Sequence, residues 1–100
     1  MDVIFRTRKL KKEYTSFKSA TKAYGLTVAR KYIQRVNIIK NVFDIDELLL
    51  LPGLRCHPLK GGRQGQYALK LTGFYRLIFN LDGNQMEIVC IEEVSKHYGD

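Results

Sequence analysis

The first half of the chain has apolar residues at the spacing of amphipathic helices. They recur at steps of three and four between Leu10 and Tyr24, and Gly25 then provides a C-terminal cap. A second run of the same period begins at about Thr27. The two apolar stripes are Leu10, Tyr14, Phe17, Thr21 and Tyr24, and then Ala29, Tyr32, Ile33, Val36 and Ile39. The pattern therefore predicts two successive helices, each with one buried face.

Shorter elements are predicted on either side of these helices. Val3, Ile4 and Phe5 form a short apolar segment that is typical of a strand. Asp44, with Glu47 three residues later, resembles a capping box. It predicts a short third helix that ends at Pro52 and Gly53.

The period changes to two in the second half of the chain. Apolar residues alternate over residues 67–71 and again over residues 75–81, with Gly73 between the two runs. A tight turn at residues 82–84 then leads to a third strand at residues 86–91, apolar on both faces. We therefore expect one α+β domain over residues 1–100. It has a short first strand, two to three helices and an antiparallel three-stranded meander, with the helices packed on one side of the sheet.

Size and composition exclude several classes of protein. The chain has 100 residues, 45% of them hydrophobic, and its longest aliphatic run (residues 48–51) is too short to cross a membrane. The start has no apolar stretch of signal-peptide length. Cys56 and Cys90 are far apart and indicate reduced thiols in a cytoplasmic protein, although a single disulfide stays open. With only His57 and His97 beside them, we expect neither a zinc site nor a cofactor.

Basic charge is concentrated in the helical half. The whole chain carries +7, of which residues 1–40 contribute 11 − 2 = +9 and residues 41–100 contribute 6 − 8 = −2. This imbalance favours a polyanionic partner such as RNA, DNA, an acidic protein or a charged membrane. The helical periods place six cations on outer faces: Lys11, Lys18 and Lys22 on the first helix, and Arg30, Lys31 and Arg35 on the second.

Residues 55–66 form the most concentrated polar segment. Its charged and titratable side chains are Arg55, His57, Lys60 and Arg63. Pro58 restricts the backbone, whereas the glycines allow conformations that bring N–H groups close to a phosphate. The P-loop spacing is absent. A solvated basic loop without further function is an equally weighted alternative.

Two further features suit chemistry on a phosphate. Arg76 interrupts the most apolar stretch, where a charge needs a partner or a function; a sheet edge, or pairing with Glu92 or Glu93, is the structural alternative. His97 and Tyr98 lie in the terminal segment, which in most proteins is frayed. If the last strand runs beside the strand of Arg76, five side chains converge: His57, Lys60, Arg76, His97 and Tyr98. Such a set can cleave RNA by attack of its own 2′-hydroxyl, without a metal.

The same segments resemble the HigB-type toxins of bacterial toxin–antitoxin systems, also called plasmid-maintenance killer proteins, of the RelE/ParE superfamily. The resemblance is carried by L-R-C-H-P-L-K-G at residues 54–61, R-x-G-x-Y at residues 63–67 and Y-R-L-I-F at residues 75–79. The ending E-E-V-S-K-H-Y at residues 92–98 also agrees. It covers essentially the whole chain, and H-P-L-K-G upstream of Y-R-L-I-F is its most specific part.

The resemblance implies a cytoplasmic ribonuclease that enters the A site of the 30S ribosomal subunit and cuts mRNA. A HigA-like helix-turn-helix antitoxin would hold it inactive, and operator DNA would be bound only through that antitoxin. His57 and Lys60 fall on the active-site loop of the family, Arg76 on its phosphate-facing strand and Tyr98 on its C-terminal aromatic. Arg55, Arg63 and the six helix cations are the expected RNA contacts.

The chain departs from the family at three positions. His97 stands where many relatives place an acid, Gly62 where they often carry Asp, and Tyr67 where they often carry Trp. These departures leave open which residue is the general acid and which the base. Two other functions also stay open: inhibition of DNA gyrase, as by the ParE-like members, and non-catalytic binding of RNA or the ribosome.

Overall fold

The computed structural model describes residues 1–63 and 65–96. Within them the chain forms five strands, four α-helices and one 3-10 turn, Gly61–Arg63. The helices are α1 (Arg8–Thr15), α2 (Phe17–Tyr24), α3 (Leu26–Asn41) and α4 (Ile45–Leu50). The strands are β1 (Asp2–Phe5), β2 (His57–Pro58), β3 (Gln66–Lys70), β4 (Tyr75–Asp82) and β5 (Ile88–Lys96).

The strands form one mixed sheet in the order β1-β5-β4-β3-β2. The predicted antiparallel meander is present as β3, β4 and β5, but it is part of a larger sheet, since β1 and β2 extend its two edges. β1 adds to the far edge, parallel to β5, and pairs Ile4 with Cys90. β2 adds to the other edge and pairs His57 with Ala68. A short apolar strand leaves its backbone groups unpaired unless it joins a sheet, and β5 offers β1 an edge.

The first predicted helix is two helices in the structure. Ser16 ends α1 and caps α2, because its hydroxyl oxygen accepts a hydrogen bond from the Ser19 N–H at 3.2 Å. Thr7 caps α1 in the same way, through the Leu10 N–H at 3.1 Å. A serine hydroxyl that satisfies an amide at the start of a helix competes with continuation of the preceding helix. The apolar stripe therefore continues across a break in the backbone.

The two later helices form as predicted. Gly25 separates α2 from α3 with φ of +86°, a conformation that favours glycine. Tyr32, at the centre of α3, is fully buried and donates to the Leu10 carbonyl at 2.8 Å. Asp44 caps α4 through the Glu47 N–H at 2.9 Å, and the Glu47 carboxylate accepts from the Phe43 N–H at 2.9 Å. In the usual capping box this carboxylate would accept from the N–H of the cap residue, Asp44. Here it accepts from Phe43, one residue earlier.

The helices lie on one side of the sheet, as predicted, and the main core lies between the two layers. α1 and α3 contact β1, whereas α2 packs on α1 and α3. The strand residues fully buried in it are Leu69, Leu77, Phe79, Val89 and Ile91. Ala68 and Ile78 occupy the alternate positions and are buried on the opposite side, which we call the outer face. In the part of the chain described, no helix is both long and apolar enough to span a membrane.

Candidate active site on the outer face of the sheet

Cross-strand pairing arranges the outer face in rows of polar side chains. Lys70 on β3 lies opposite Arg76 on β4, which lies opposite Ser95 on β5. The next row contains His57, Ala68, Ile78 and Glu93. The row of Lys70 and Arg76 is therefore cationic. The neighbouring row has Ala68 and Ile78 at its centre, with His57 at one end and Glu93 at the other.

Arg76 is mounted at the centre of the sheet. β4 lies between β3 and β5, so the interpretation of Arg76 as a residue at a sheet edge is wrong. Its Nη1 donates to the Thr72 carbonyl at 2.6 Å and to the Tyr75 carbonyl at 3.1 Å. Backbone acceptors of this kind fix the direction of a guanidinium, and a fixed fork of N–H donors suits a phosphate.

His57 is held in one tautomer by the backbone. Its Nδ1 lies 2.8 Å from the Arg55 carbonyl oxygen. Because a carbonyl oxygen only accepts, Nδ1 carries the proton, and Nε2 of the neutral ring has the lone pair. Arg55 adopts φ of 51°. This left-handed turn lets Cys56 enter the core while the exposed His57 lies on the outer face.

The register brings His57 and Arg76 to the same region. Two strand spacings and two residues along β4 separate their Cα atoms by about 12 Å. Both side chains lie on the same face of the sheet, and the Arg76 guanidinium is held at the Thr72 end of that face. Lys70 lies between the two along β3. Two of the predicted catalytic residues are therefore brought together, with a lysine that the sequence analysis missed.

The position of Lys70 beside Arg76 could have been predicted from the alternation of apolar residues in the sequence. The alternation in residues 67–71 and 75–81 puts Lys70 and Arg76 on the same face. Both are three residues from Gly73, so a hairpin centred on that glycine pairs them. Lys70 was missed because a lysine that alternates with leucine is also typical of an ordinary solvated strand face.

The loop between β2 and β3 is tied to the sheet. The Leu59 N–H donates to the Gln66 carbonyl at 2.8 Å. Arg63 donates through Nε to the Gln66 side chain at 2.9 Å and through Nη2 to Glu93 at 2.6 Å. Glu93 lies on β5, so Arg63 crosses the outer face to reach it. Lys60 is exposed at the beginning of this held loop, just before the 3-10 turn.

Part of the predicted catalytic set is not described. β5 runs beside β4, as the prediction required, and Lys96 pairs with Tyr75 one position from Arg76. His97 and Tyr98 follow directly but lie outside the described residues. Their predicted roles therefore stay predictions.

The helix cations lie on the other layer of the molecule. Four of them are exposed there: Lys11, Lys18, Lys22 and Arg30. Lys31 is half-buried. Arg55, in the loop before β2, is also exposed. The prediction that Arg35 lies on an outer helix face is wrong, because its Nε donates to the Lys70 carbonyl at 3.2 Å. Burial lowers the pKa of Arg35. Its long side chain reaches the end of β3, where a carbonyl accepts from it.

Cys56 and Cys90 are both free thiols, so the disulfide alternative is wrong. Burial raises the pKa of Cys56 to about 12, which keeps its sulfur protonated and without nucleophilic character near neutral pH. Burial, with a side-chain hydrogen bond to Glu92, raises the pKa of Cys90 to about 11. Within residues 1–63 and 65–96, no group of three or more His, Cys, Asp or Glu side chains could hold a metal ion.

Solved structures have this arrangement of helices and strands. A YoeB/ParE toxin from Agrobacterium tumefaciens matches 98% of this chain and 100% of its own, with a TM-score of 0.63 and 16% identity. A YoeB–YefM complex from Staphylococcus aureus gives a TM-score of 0.63 at 16% identity, over 98% of both chains. YafQ from E. coli gives 0.59 at 20% identity, over 95% of this chain and 91% of its own.

The chain has the fold of the YoeB and YafQ toxins. The likeness to these toxins shows the fold alone, and it does not support the HigB type in particular. The chain matches no protein-family model and, at a significant level, no curated protein. The similarity at this identity concerns the fold, so the activity must be argued from the outer face itself.

Proposed function

We propose that this chain is the toxin of a type II toxin–antitoxin system and cleaves mRNA on the ribosome. The observation that carries the proposal is the placement of His57 and Arg76 on one rigid face, with Lys70 between their strands. A base near neutral pH beside two cations is what attack of a 2′-hydroxyl on its own phosphodiester requires. The HigB-like motifs at residues 54–61 and 75–79 support the same reaction.

In this mechanism, Nε2 of His57 accepts the proton of the 2′-hydroxyl. The 2′-oxygen then forms a bond to phosphorus, and the bond from phosphorus to the 5′-oxygen breaks. Arg76 and Lys70 stabilise the negative charge that develops on the phosphorane oxygens. A general acid protonates the leaving 5′-oxygen, a role for which Lys60, His97 and Tyr98 are the candidates. The products are a 2′,3′-cyclic phosphate and a 5′-hydroxyl end, and the reaction uses no metal.

The proposal includes a protein partner that neutralises the toxin. YoeB from Staphylococcus aureus has been solved in complex with its antitoxin YefM, which supports a partner of this kind. The HigB-like motifs favour a HigA-like helix-turn-helix protein that represses its operon and brings the toxin to operator DNA. The site of action is the cytoplasm, where ribosomes and mRNA meet.

The proposal is tested with Arg76→Ala in a purified translation system. We expect cleavage of translated mRNA, mapped by primer extension, to fall by roughly a hundredfold or more, as when one preorganised charge-stabilising donor is removed. Arg8→Ala is the matched control, since Arg8 is an exposed arginine at the start of α1 on the other layer. Its cleavage should equal that of the unmodified chain. The circular-dichroism melting curves of both variants report whether the fold is retained.

Three results would overturn the proposal. Undiminished cleavage by both Arg76→Ala and Lys60→Ala would remove the reaction from the outer face. Inhibition of gyrase supercoiling without mRNA cleavage would favour the ParE-like function. Binding to ribosomes that His57→Ala leaves unchanged, without cleavage by any form of the chain, would favour a non-catalytic module.

A further inference from the structure

The end of strand β3 extends beyond its partner β2. β2 pairs with Tyr67 and Ala68, whereas β3 continues to Lys70. The Lys70 N–H donates to the Leu54 carbonyl at 2.7 Å, and the Lys70 carbonyl accepts from Nε of Arg35 at 3.2 Å. A backbone carbonyl at the edge of a sheet needs a donor, which a neighbouring strand normally supplies. Here a side chain of α3 takes the place of that strand.

Lys70 and Arg76 form the kind of cross-strand pair whose side chains lie closest together. The Leu71 N–H donates to the Tyr75 carbonyl at 3.0 Å, so the backbone hydrogen bonds between β3 and β4 fall on the neighbouring pair. Lys70 and Arg76 are therefore a non-hydrogen-bonded pair, with Cα atoms about 4.5 Å apart. Two cations so close repel each other. Since β4 is the central strand, this repulsion acts to displace the end of β3.

We infer that Arg35 is a positioning residue, which holds Lys70 beside Arg76 so that the two cations can bind one phosphate. Its hydrogen bond fixes the Lys70 backbone, while the Lys70 side chain lies on the outer face. This role requires the N–H donor of Arg35, not its charge. That the phosphate belongs to mRNA rests on the proposed function. The effect of Arg35 on the Lys70–Arg76 pair can be measured with inorganic phosphate alone.

Two substitutions separate the donor from the charge. Arg35→Gln removes the charge but keeps an N–H at the position that Nε occupies along the side chain. Arg35→Met has a side chain of the same length as this glutamine and no donor. Arg8→Met is the matched control, because Arg8 is an exposed arginine of α1, which contacts β1 at the other end of the sheet from β3. Melting curves show whether each variant keeps its fold.

The first measurement is a titration of each full chain with inorganic phosphate, followed through the backbone NMR signals of Lys70 and Arg76. We expect Arg35→Met to raise the Kd for phosphate roughly fivefold, because the ammonium of Lys70 is no longer held in place. Arg35→Gln and Arg8→Met should stay within about twofold of the unmodified chain. The Lys70 amide hydrogen should exchange faster in Arg35→Met than in Arg35→Gln.

The second measurement is the single-turnover rate of mRNA cleavage. Arg35→Met should lower this rate roughly tenfold, because a misplaced charge stabilises the transition state poorly, and Arg35→Gln should restore most of the loss. In a Lys70→Gln background, Arg35→Met should have no further effect, since the side chain that it positions is absent. In a Lys60→Ala background, its full effect should remain. A general loss of structure would lower the rate equally in all these backgrounds.

Three results would overturn the inference. They are equal losses in Arg35→Met and Arg35→Gln, additive effects of Arg35→Met and Lys70→Gln on the rate, and unmoved Lys70 and Arg76 signals when phosphate is added to the unmodified chain. The two proposals can fail separately. Phosphate binding in the expected order by a chain that cleaves no mRNA would support the role of Arg35 and reject the proposed function. Cleavage that Arg76→Ala abolishes, with Arg35→Met and Arg35→Gln equally impaired, would do the reverse.

Discussion

The unusual backbone angle of Arg55 precedes a buried residue, Cys56, and a candidate catalytic residue, His57. A non-glycine residue with φ of 51° carries a strain of about 1–3 kcal/mol, which persists only where the surroundings enforce it. Here Cys56 is held in the core on one side, while the His57 ring bonds back to the Arg55 carbonyl on the other. This backbone conformation leaves the imidazole on the outer face, with its Nδ1 bonded to the Arg55 carbonyl.

We expect Lys70 to lower the free energy of unfolding of the protein while it contributes to the proposed mRNA cleavage. Like charges directly opposite each other in a sheet are destabilising, and Lys70 faces Arg76. We expect Lys70→Gln to raise the free energy of unfolding by about 0.2–1 kcal/mol at low salt, measured by urea denaturation. The gain should shrink in high salt, where the repulsion is screened. The same variant should cleave translated mRNA more slowly, because it removes a cation beside the scissile phosphate.

Lys18→Gln serves as the control for this trade-off. Lys18 is exposed on α2, so its stability should change by less than about 0.5 kcal/mol. If Lys70→Gln is less stable than the unmodified chain at low salt, repulsion with Arg76 is not the dominant interaction of Lys70. If it cleaves at the full rate, Lys70 plays no part in binding the phosphate.

Among the elements, the break between α1 and α2 depends on one hydroxyl. Ser16→Ala removes the acceptor for the Ser19 N–H, and losing such a cap costs about 1 kcal/mol. We expect this loss in urea denaturation. Thr27→Ala is the control, since Thr27 is exposed on α3 and has no capping role in the structure. A loss below about 0.3 kcal/mol for Ser16→Ala would mean that packing of α1 and α2, rather than the cap, sets the break.

This break also shows where the period of apolar residues stops being informative. The stripe from Leu10 to Tyr24 keeps its spacing through Ser16, because α1 and α2 pack against each other and both pack against α3. Periodicity reports which face is buried, not whether the backbone is continuous. The serine at the break is the local signal, and in a purely helical interpretation it is one tolerated polar residue.

Long-range strand pairing was the other part that the sequence left open. Gly73 and the turn at residues 82–84 predict β3, β4 and β5 because these hairpins are local. The pairing of β1 with β5 joins residues 2–5 to residues 88–91, and no turn specifies it. For the site, the loop and Arg76 could be predicted as motifs, whereas their common face depends on the register of β2, β3 and β4.

At the scale of the molecule, charge and proposed chemistry lie on opposite layers. Lys18 and Lys22 are exposed on the helices, whereas His57 and Arg76 face away from them. We expect Lys18→Ala with Lys22→Ala to weaken ribosome binding and to lower the slope of log K against log salt by about one per lost phosphate contact. The rate of cleavage at saturating ribosome concentration should stay unchanged, as measured by single-turnover kinetics.

Lys60→Ala is the informative comparison, since Lys60 is exposed beside His57 on the other layer. It should lower the single-turnover rate. If the helix variants lower that rate as much as Lys60→Ala does, ribosome binding and mRNA cleavage are not divided between the two layers. An unchanged salt slope would remove Lys18 and Lys22 from the RNA contacts.

The pairing of β1 with β5 also has a consequence for the synthesis of the protein. Phe5 pairs with Ile91, and Arg76 gains its neighbour Ser95 only from β5. At about 5–20 residues per second, a nascent chain waits several seconds between making its first strand and making the partner of that strand. Until β5 has left the ribosome, the sheet has neither its parallel edge nor a complete row around Arg76. Under the proposed function, the surface that cleaves mRNA is therefore assembled only after β5 has been made.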